Sequence, residues 1–235
     1  MLGYRDLAEH DRLYTLFTEE RGKLEVRVRG ARKILSKLQP PLSAIAVVRV
    51  LIYEGRSRPL LIGIETFERF PKLGHELWRA QVAARFIRLV DLATKPEIRD
   101  QDLFCLLRDA LGGAEIASES QIGSLRDAFI MQLLGHCGYR PELSICVHCR
   151  KPEVSHFSAP SGGVICSGCA AADRLAVKVS AAELADLRIC VNAPISVQAV
   201  LLRVFDFEFI TRELLIHRLE TPLWFPVLGT RQKIA

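Results

Sequence analysis

Leu24-Glu25-Val26-Arg27-Val28-Arg29-Gly30 alternates strictly between apolar and charged residues and ends on glycine. A period of two belongs to a strand, so Leu24, Val26 and Val28 face one side and Glu25, Arg27 and Arg29 the other. Working outward, Leu13-Tyr14-Thr15-Leu16-Phe17-Thr18 is a second short segment rich in β-formers, and Glu19-Glu20-Arg21-Gly22 turns the chain between the two. Residues 44–54 form a longer apolar strand; Gly55-Arg56-Ser57 turns it, and residues 59–65 return. Leu2 to Tyr4 supplies the stub of a fifth strand. Short strands with turn signals between them and no helical period predict a small barrel or sandwich over residues 1–68.

After Phe70-Pro71 the period becomes helical. Leu77, Trp78, Val82, Phe86, Ile87 and Val90 share one broad face. A second helix is expected over 97–111, with Ile98, Leu103, Phe104, Leu106 and Leu107 apolar and Gly112-Gly113 ending it. A third is expected over 120–135, with Ile122, Leu125, Phe129, Leu133 and Leu134. Ser180-Ala181-Ala182-Glu183 is a capping box that opens another helix, which Asn192-Ala193-Pro194 breaks. Residues 196–219 read as one long helical stretch, with Val200, Val204 and Phe205 apolar. The expected architecture is α+β: a β domain at 1–68, a helical domain at 69–145 and 173–235, and a cysteine module at 146–172 inserted in it and rooted on its helices.

Composition narrows the function classes. The chain has 235 residues, 49% hydrophobic and 25% charged, a globular balance that excludes wholesale disorder. No run approaches the roughly 20 apolar residues that span a bilayer. The first residues lack an apolar core followed by a small-residue cleavage site, so no secretory signal is expected and the chain reads as soluble and cytoplasmic. Net charge is +5, but its distribution says more. Between Arg21 and Arg58 ten basic residues (Arg21, Lys23, Arg27, Arg29, Arg32, Lys33, Lys37, Arg49, Arg56, Arg58) face two acids, Glu25 and Glu54. That window carries +8 and the rest of the chain −3, which points to an anionic polymer as partner.

Of seven cysteines, four form Cys146-x-x-Cys149 and Cys166-x-x-Cys169, separated by 16 residues. In a reducing compartment such pairs bind metal more often than they form disulfides. Pro160-Ser161-Gly162-Gly163 is turn chemistry for a hairpin that would bring the two pairs together, in a module too small to have an apolar core. Four thiolates saturate a tetrahedral zinc and leave no position for water, so the expected metal is one structural Zn2+. Four free thiols, an iron–sulphur cluster, or His148 and His156 as replacement ligands are the other readings; a surface histidine beside a complete four-cysteine set reads as a bystander. Cys105, Cys137 and Cys190 lie among apolar helical residues and read as core thiols.

Arg27, Arg29, Arg32, Lys33, Lys37, Arg56 and Arg58 are the candidate DNA-binding residues. The middle strands of a small five-stranded barrel and the loops beside them form an oligonucleotide face. Aromatic residues are scarce there (Tyr14, Phe17 and Tyr53, with Phe17 read as core), so phosphate contacts should outweigh stacking and binding should be salt-sensitive. Patterns for catalysis fail: no Walker A loop, no second histidine after His75-Glu76, no deaminase signature and no G-x-S-x-G elbow. The chain reads as a non-enzyme; a zinc-containing protein-interaction scaffold without DNA binding is the alternative.

Glu9-x-Asp11 before a strand, Thr18-Glu19-Glu20-Arg21-Gly22-Lys23, and Arg29-Gly30-Ala31-Arg32 followed by Ser36 and Leu38 recur in order with Gly138-Tyr139-Arg140-Pro141-Glu142-Leu143 before the first cysteine pair. Gly162-Gly163-Val164-Ile165 then leads into the second. In this the chain resembles the RecO family of bacterial DNA repair and recombination mediators over nearly its whole length. Arg150 stands where that family commonly has glycine. The resemblance implies an OB-fold β-barrel, a helical bundle and a zinc finger. It further implies binding of single- and double-stranded DNA, annealing of complementary strands, and a cytoplasmic, nucleoid-associated place. It also implies two protein partners: RecR, with which RecA is loaded, and the acidic C-terminal tail of single-stranded DNA-binding protein, held by the helical domain. Such a tail calls for an apolar pocket rimmed by basic residues, for which Arg79, Arg85, Arg108 and Arg126 are candidates.

Overall fold

A computed structural model of the chain describes residues 1–7, 9–33, 44–55, 58–196 and 206–219. Five strands build the N-terminal sheet: β1 Gly3–Asp6, β2 Arg12–Thr18, β3 Gly22–Val28, β4 Ala46–Tyr53 and β5 Leu60–Arg69. Their order is β1-β2-β3-β5-β4, with β3 and β5 parallel and the other pairs antiparallel. The order is that of a partly open five-stranded barrel. Among the described residues no pairing joins β1 to β4, so the sheet is not closed.

The alternation of β3 works as the sequence expects. Leu24, Val26 and Val28 join Tyr14, Leu16, Ala31 and Leu61 in one buried cluster, with Val50, Ile52 and Ile64 against it. β2 is buried on both faces. Leu13 and Phe17 point away from that cluster, and the Phe17 ring lies 6.1 Å from that of Phe104. The sheet and the helices that follow form one compact unit, Met1–Ile116; Ala117–Ala235 forms the other.

In the first unit, α1 Pro71–His75, α2 Leu77–Ala93 and α3 Gln101–Ile116 follow the sheet. Two expectations are corrected here. Leu77 is exposed, and the buried face of α2 runs through Arg79, Val82, Ala83, Phe86, Leu89 and Val90. Gly112-Gly113 does not end α3, which continues to Ile116, while Ile98 lies outside it and is exposed. Tertiary partners hold the last turn helical: Arg79 donates to the Ala114 carbonyl, and the Glu115 carboxylate accepts the Lys72 and Leu73 N–H groups at 3.1 Å each. These bonds satisfy α1 donors that have no partner within their own helix.

In the second unit α4 Ile122–His136 is the central helix, buried on nearly every side. It packs against α6 Ala181–Asn192 and α7 Glu208–Leu219. The capping box at Ser180 and Glu183 is present in both directions, and α6 stops before Ala193 as expected. The expected long helix over 196–219 is not one helix, because Asp206 and Phe207 are not helical and α7 starts at Glu208; Val200, Val204 and Phe205 lie outside the described residues.

Candidate metal centre and nucleic-acid face

The cysteine module starts from a turn that Glu142 organises. Its carboxylate accepts the Ser144 N–H at 2.7 Å and is held below its ordinary pKa mainly by that bond. β6 His156–Ser158, β7 Gly163–Ile165 and β8 Val177–Lys178 make a small antiparallel sheet in the order β7-β6-β8. Gly163 is required where β7 passes Glu142, since a Cβ there would stand 2.5 Å from the Glu142 carbonyl oxygen. Arg188 of α6 donates to the Leu143 carbonyl at 2.8 Å, which roots the module on its helices. The module does have an apolar core, contrary to expectation: Cys146, Ile165 and Cys166 are buried together with Val147, Val154, Ala170 and Ala176 around them. The thiols themselves supply part of that apolar volume.

The two C-x-x-C turns converge. The sulphurs of Cys146, Cys149, Cys166 and Cys169 all lie within 4.8 Å of one another, and those of Cys149 and Cys166 are 3.6 Å apart. Four bonds of about 2.3 Å to one tetrahedral zinc need sulphurs about 3.8 Å apart. In the first turn the Arg150 N–H donates to the Cys146 carbonyl at 2.9 Å, and Arg150 takes a left-handed φ of 63°. That is the conformation glycine adopts without cost, which accounts for the glycine common at this place in the resembled family. In the second turn Cys166 precedes the short helix α5 Ser167–Ala170, and the Ala170 N–H returns to its carbonyl at 3.0 Å.

The electrostatics suit a cation. The Cys149 N–H, aimed at the Cys146 sulphur, lowers that thiol to about 6, and the Cys169 N–H lowers Cys166. The Cys169 thiol, facing Cys166, is pushed up to about 12. Neighbouring sulphurs thus cannot all ionise unless positive charge sits between them, and a divalent metal supplies it. The four-cysteine set fits a metal ion on these grounds. Neither histidine belongs to it: His148 Nε2 meets Ser161 Oγ at 3.0 Å and His156 Nδ1 meets Ser155 Oγ at 2.9 Å.

The basic residues of the N-terminal sheet divide into two groups. Arg27 is tied by its Nε to Asp11 Oδ2 at 2.8 Å, and Asp11 Oδ1 accepts the Gly30 N–H at 2.8 Å. Arg21 pairs with Glu54, Lys23 with Asp91 at 2.6 Å, and Arg49 with Glu65 at 3.5 Å. Arg32 stands 3.7 Å from Asp6 and is otherwise exposed. Arg29, Lys33 and Arg58 are exposed and form no ion pair among the described residues, with Arg29 within electrostatic reach of Asp11. Lys37 and Arg56 lie outside the described residues. Arg58 enters β5 beside β3, where the Arg27 N–H donates to the Pro59 carbonyl at 2.8 Å. Of the candidate rims in the helices, Arg79 is buried on Glu76 and Ala114, Arg108 pairs with Asp109, and Arg126 is held by Asp127, Asp206 and Glu208.

The model of the family described as "Recombination protein O N terminal" matches residues 1–69, and that described as "Recombination protein O C terminal" matches residues 75–202. The chain belongs to the RecO family. Its RecO relatives include the DNA repair protein RecO of Desulfitobacterium hafniense, 30% identical over 168 residues, covering 70% of this chain and 60% of that protein. That of a Roseiflexus species is 30% identical over 199 residues, covering 83% of this chain and 69% of that protein. That of Pelotomaculum thermopropionicum is 29% identical over 230 residues, covering 95% and 88%. The chain thus spans about 60% of the length of the first of these relatives. The boundary between the two RecO models falls inside the compact unit Met1–Ile116. No helix among the described residues is long and apolar enough to cross a membrane.

Sequence reasoning missed Asp11 as a working residue. Glu9-x-Asp11 reads there only as a pattern, because the partners of Asp11, Arg27 and Gly30, lie 16 and 19 positions on.

Proposed function

We propose that this RecO-family chain is a non-enzymatic mediator of DNA repair and homologous recombination. It binds single- and double-stranded DNA through Arg29, Arg32, Lys33 and Arg58, joined by Lys37 and Arg56, with Arg27 shaping the turn that presents them. The observation that supports it most is the group of exposed cations at the end of β3 and the start of β5 that form no ion pair among the described residues. Cations free of internal partners are available to phosphate, and releasing the counterions of phosphate supplies binding free energy without reading sequence. Two strands neutralised on one surface stop repelling each other, and base pairing then drives annealing. Partner proteins follow from the family reading: RecR, with RecA loading as the outcome, and the acidic tail of single-stranded DNA-binding protein.

The four thiolates of Cys146, Cys149, Cys166 and Cys169 would hold one Zn2+ with no open position, so the metal supplies folding free energy and no chemistry on a substrate. Elemental analysis is expected to find one zinc per chain, and Cys166→Ser to lose it together with the protease resistance of residues 146–178. Unchanged metal content in Cys166→Ser rules out the cage.

The function is tested by annealing two complementary oligonucleotides coated with single-stranded DNA-binding protein, with and without this chain, and again with a coat protein lacking its C-terminal tail. Acceleration that depends on the tail is expected. Acceleration without that dependence removes the tail from the partners, and no acceleration by the folded, zinc-loaded chain favours the interaction scaffold.

A further inference from the structure

β5 carries two bulges against β4, and both send an apolar residue outward. Leu51 pairs with Gly63 and Ile52 with Leu61, which leaves Ile62 as the extra residue; Val47 pairs with Glu68 and Val48 with Thr66, which leaves Phe67. A bulge re-aims a side chain that regular pleating would bury or pair. Phe67 is 75% exposed and Ile62 52%, and on β4 Leu51 is 63% and Tyr53 59% exposed. Four large apolar side chains on one two-stranded face, while Val50, Ile52 and Ile64 fill the core behind them, are more than scattered surface residues.

The charges along this face choose its occupant. Arg58 and Arg69 flank the two ends of the strip, both exposed, and Arg49, paired with Glu65, interrupts it between Leu51 and Phe67. The acids nearby are each beside a guanidinium: Glu54 at Arg21, Glu65 at Arg49, Glu68 within electrostatic reach of Arg108. Glutamates are depleted at the centre of a protein interface, and the exposed Glu54, Glu65 and Glu68 border this strip. Aromatic and apolar side chains interleaved with arginine are the surface that unpaired bases and their phosphates require. The Tyr53–Ile62 end is continuous with the exposed cations, because Pro59 is bonded to Arg27 and Arg58 precedes it.

We propose that the outward face of the β4–β5 hairpin is a stacking platform for the bases of single-stranded DNA, with Phe67 and Tyr53 as the principal rings and Leu51 and Ile62 between them. This rests on the DNA-binding reading above and adds the preference that the phosphate-contacting cations do not supply. A duplex keeps its base faces stacked inside, so the platform favours unpaired strands.

The test measures affinity for an oligothymidylate and for a duplex of equal length, in the full zinc-loaded chain, across a salt series. Phe67→Ala and Tyr53→Ala are each expected to weaken single-strand binding about 5- to 150-fold, the range of one lost base stack. Duplex affinity and the salt slope should stay as in the wild type, since no phosphate contact is removed, and Phe67→Trp should restore single-strand binding. Both side chains are exposed, so the fold is not at stake. Undiminished single-strand affinity in the Phe67→Ala/Tyr53→Ala double variant overturns the platform alone. Equal loss on duplex and single strand overturns it too, as does a wild-type dimer that the double variant dissolves without change in DNA affinity. A wild-type chain that binds neither DNA overturns both this inference and the function it rests on.

Discussion

Asp11 holds the turn after β3 by accepting the Gly30 N–H and the Arg27 guanidinium at once, and those two donors lower its carboxyl below the ordinary aspartate value. The ionised form is therefore the one the fold prefers. Its contribution is complete above the unfolded pKa of about 3.9 and is lost as pH falls through the lowered native value. Asp11→Asn is expected to cost about 1–2 kcal/mol at neutral pH, from weakened charge-assisted hydrogen bonds. The gap to wild type should close as pH is lowered past that window in urea titrations; a gap that is constant with pH would remove Asp11 from this role. The cysteine ligands were legible in the sequence because their chemistry is written in spacing. Asp11 was not, because its partners sit 16 and 19 positions away and nothing local marks an acid as an anchor.

At the scale of elements, the sequence read periodicity well and endings less well. The β3 alternation, the Ser180 capping box and the break before Ala193 are local signals, and the structure has all three. Gly112-Gly113 is also a local signal for a stop, but bonds from Arg79 and to the Glu115 carboxylate outweigh it. The joint between α4 and α7 was equally invisible. Asp127, fully buried, accepts the Phe207 N–H at 2.8 Å and the Thr211 hydroxyl at 3.1 Å and pairs with Arg126. Removing one partner of such a set strands the others without solvent. Asp127→Ala is expected to destabilise the second unit by about 3–5 kcal/mol, read from the denaturant midpoint. A loss under about 1 kcal/mol would mean the joint is held by apolar packing alone.

Over the whole molecule, the +8 window overstated what reaches solvent. Arg21, Lys23, Arg27, Arg32 and Arg49 all meet carboxylates, four of which (Asp6, Asp11, Glu65 and Asp91) lie outside the window, so a count along the chain could not see them. Arg29, Arg32 and Lys33 sit together where pairing is weakest. Replacing these three with Gln is expected to weaken DNA binding and to lower the slope of log affinity against log salt by about 2–3, since each duplex phosphate contact adds about 0.9. Wild-type affinity and slope in the triple variant would end the assignment.

The start of β3 bears the imprint of a segment far downstream. At Gly22, whose φ is 64°, an added Cβ would stand 1.8 Å from the Ile98 carbonyl oxygen, and beside it the Lys23 carbonyl accepts the Glu97 N–H at 2.8 Å while the Lys23 ammonium reaches Asp91. The sheet has thus been shaped to accept residues 91–98 as a lid on its own edge. A fragment cut after β5 would keep every strand and yet lose that closure, leaving a slot that only glycine can line and a lysine with no counter-ion. Any attempt to graft these cations onto another scaffold would have to carry the chain as far as α3, because the smallest portable piece of this surface is longer than the sheet that displays it.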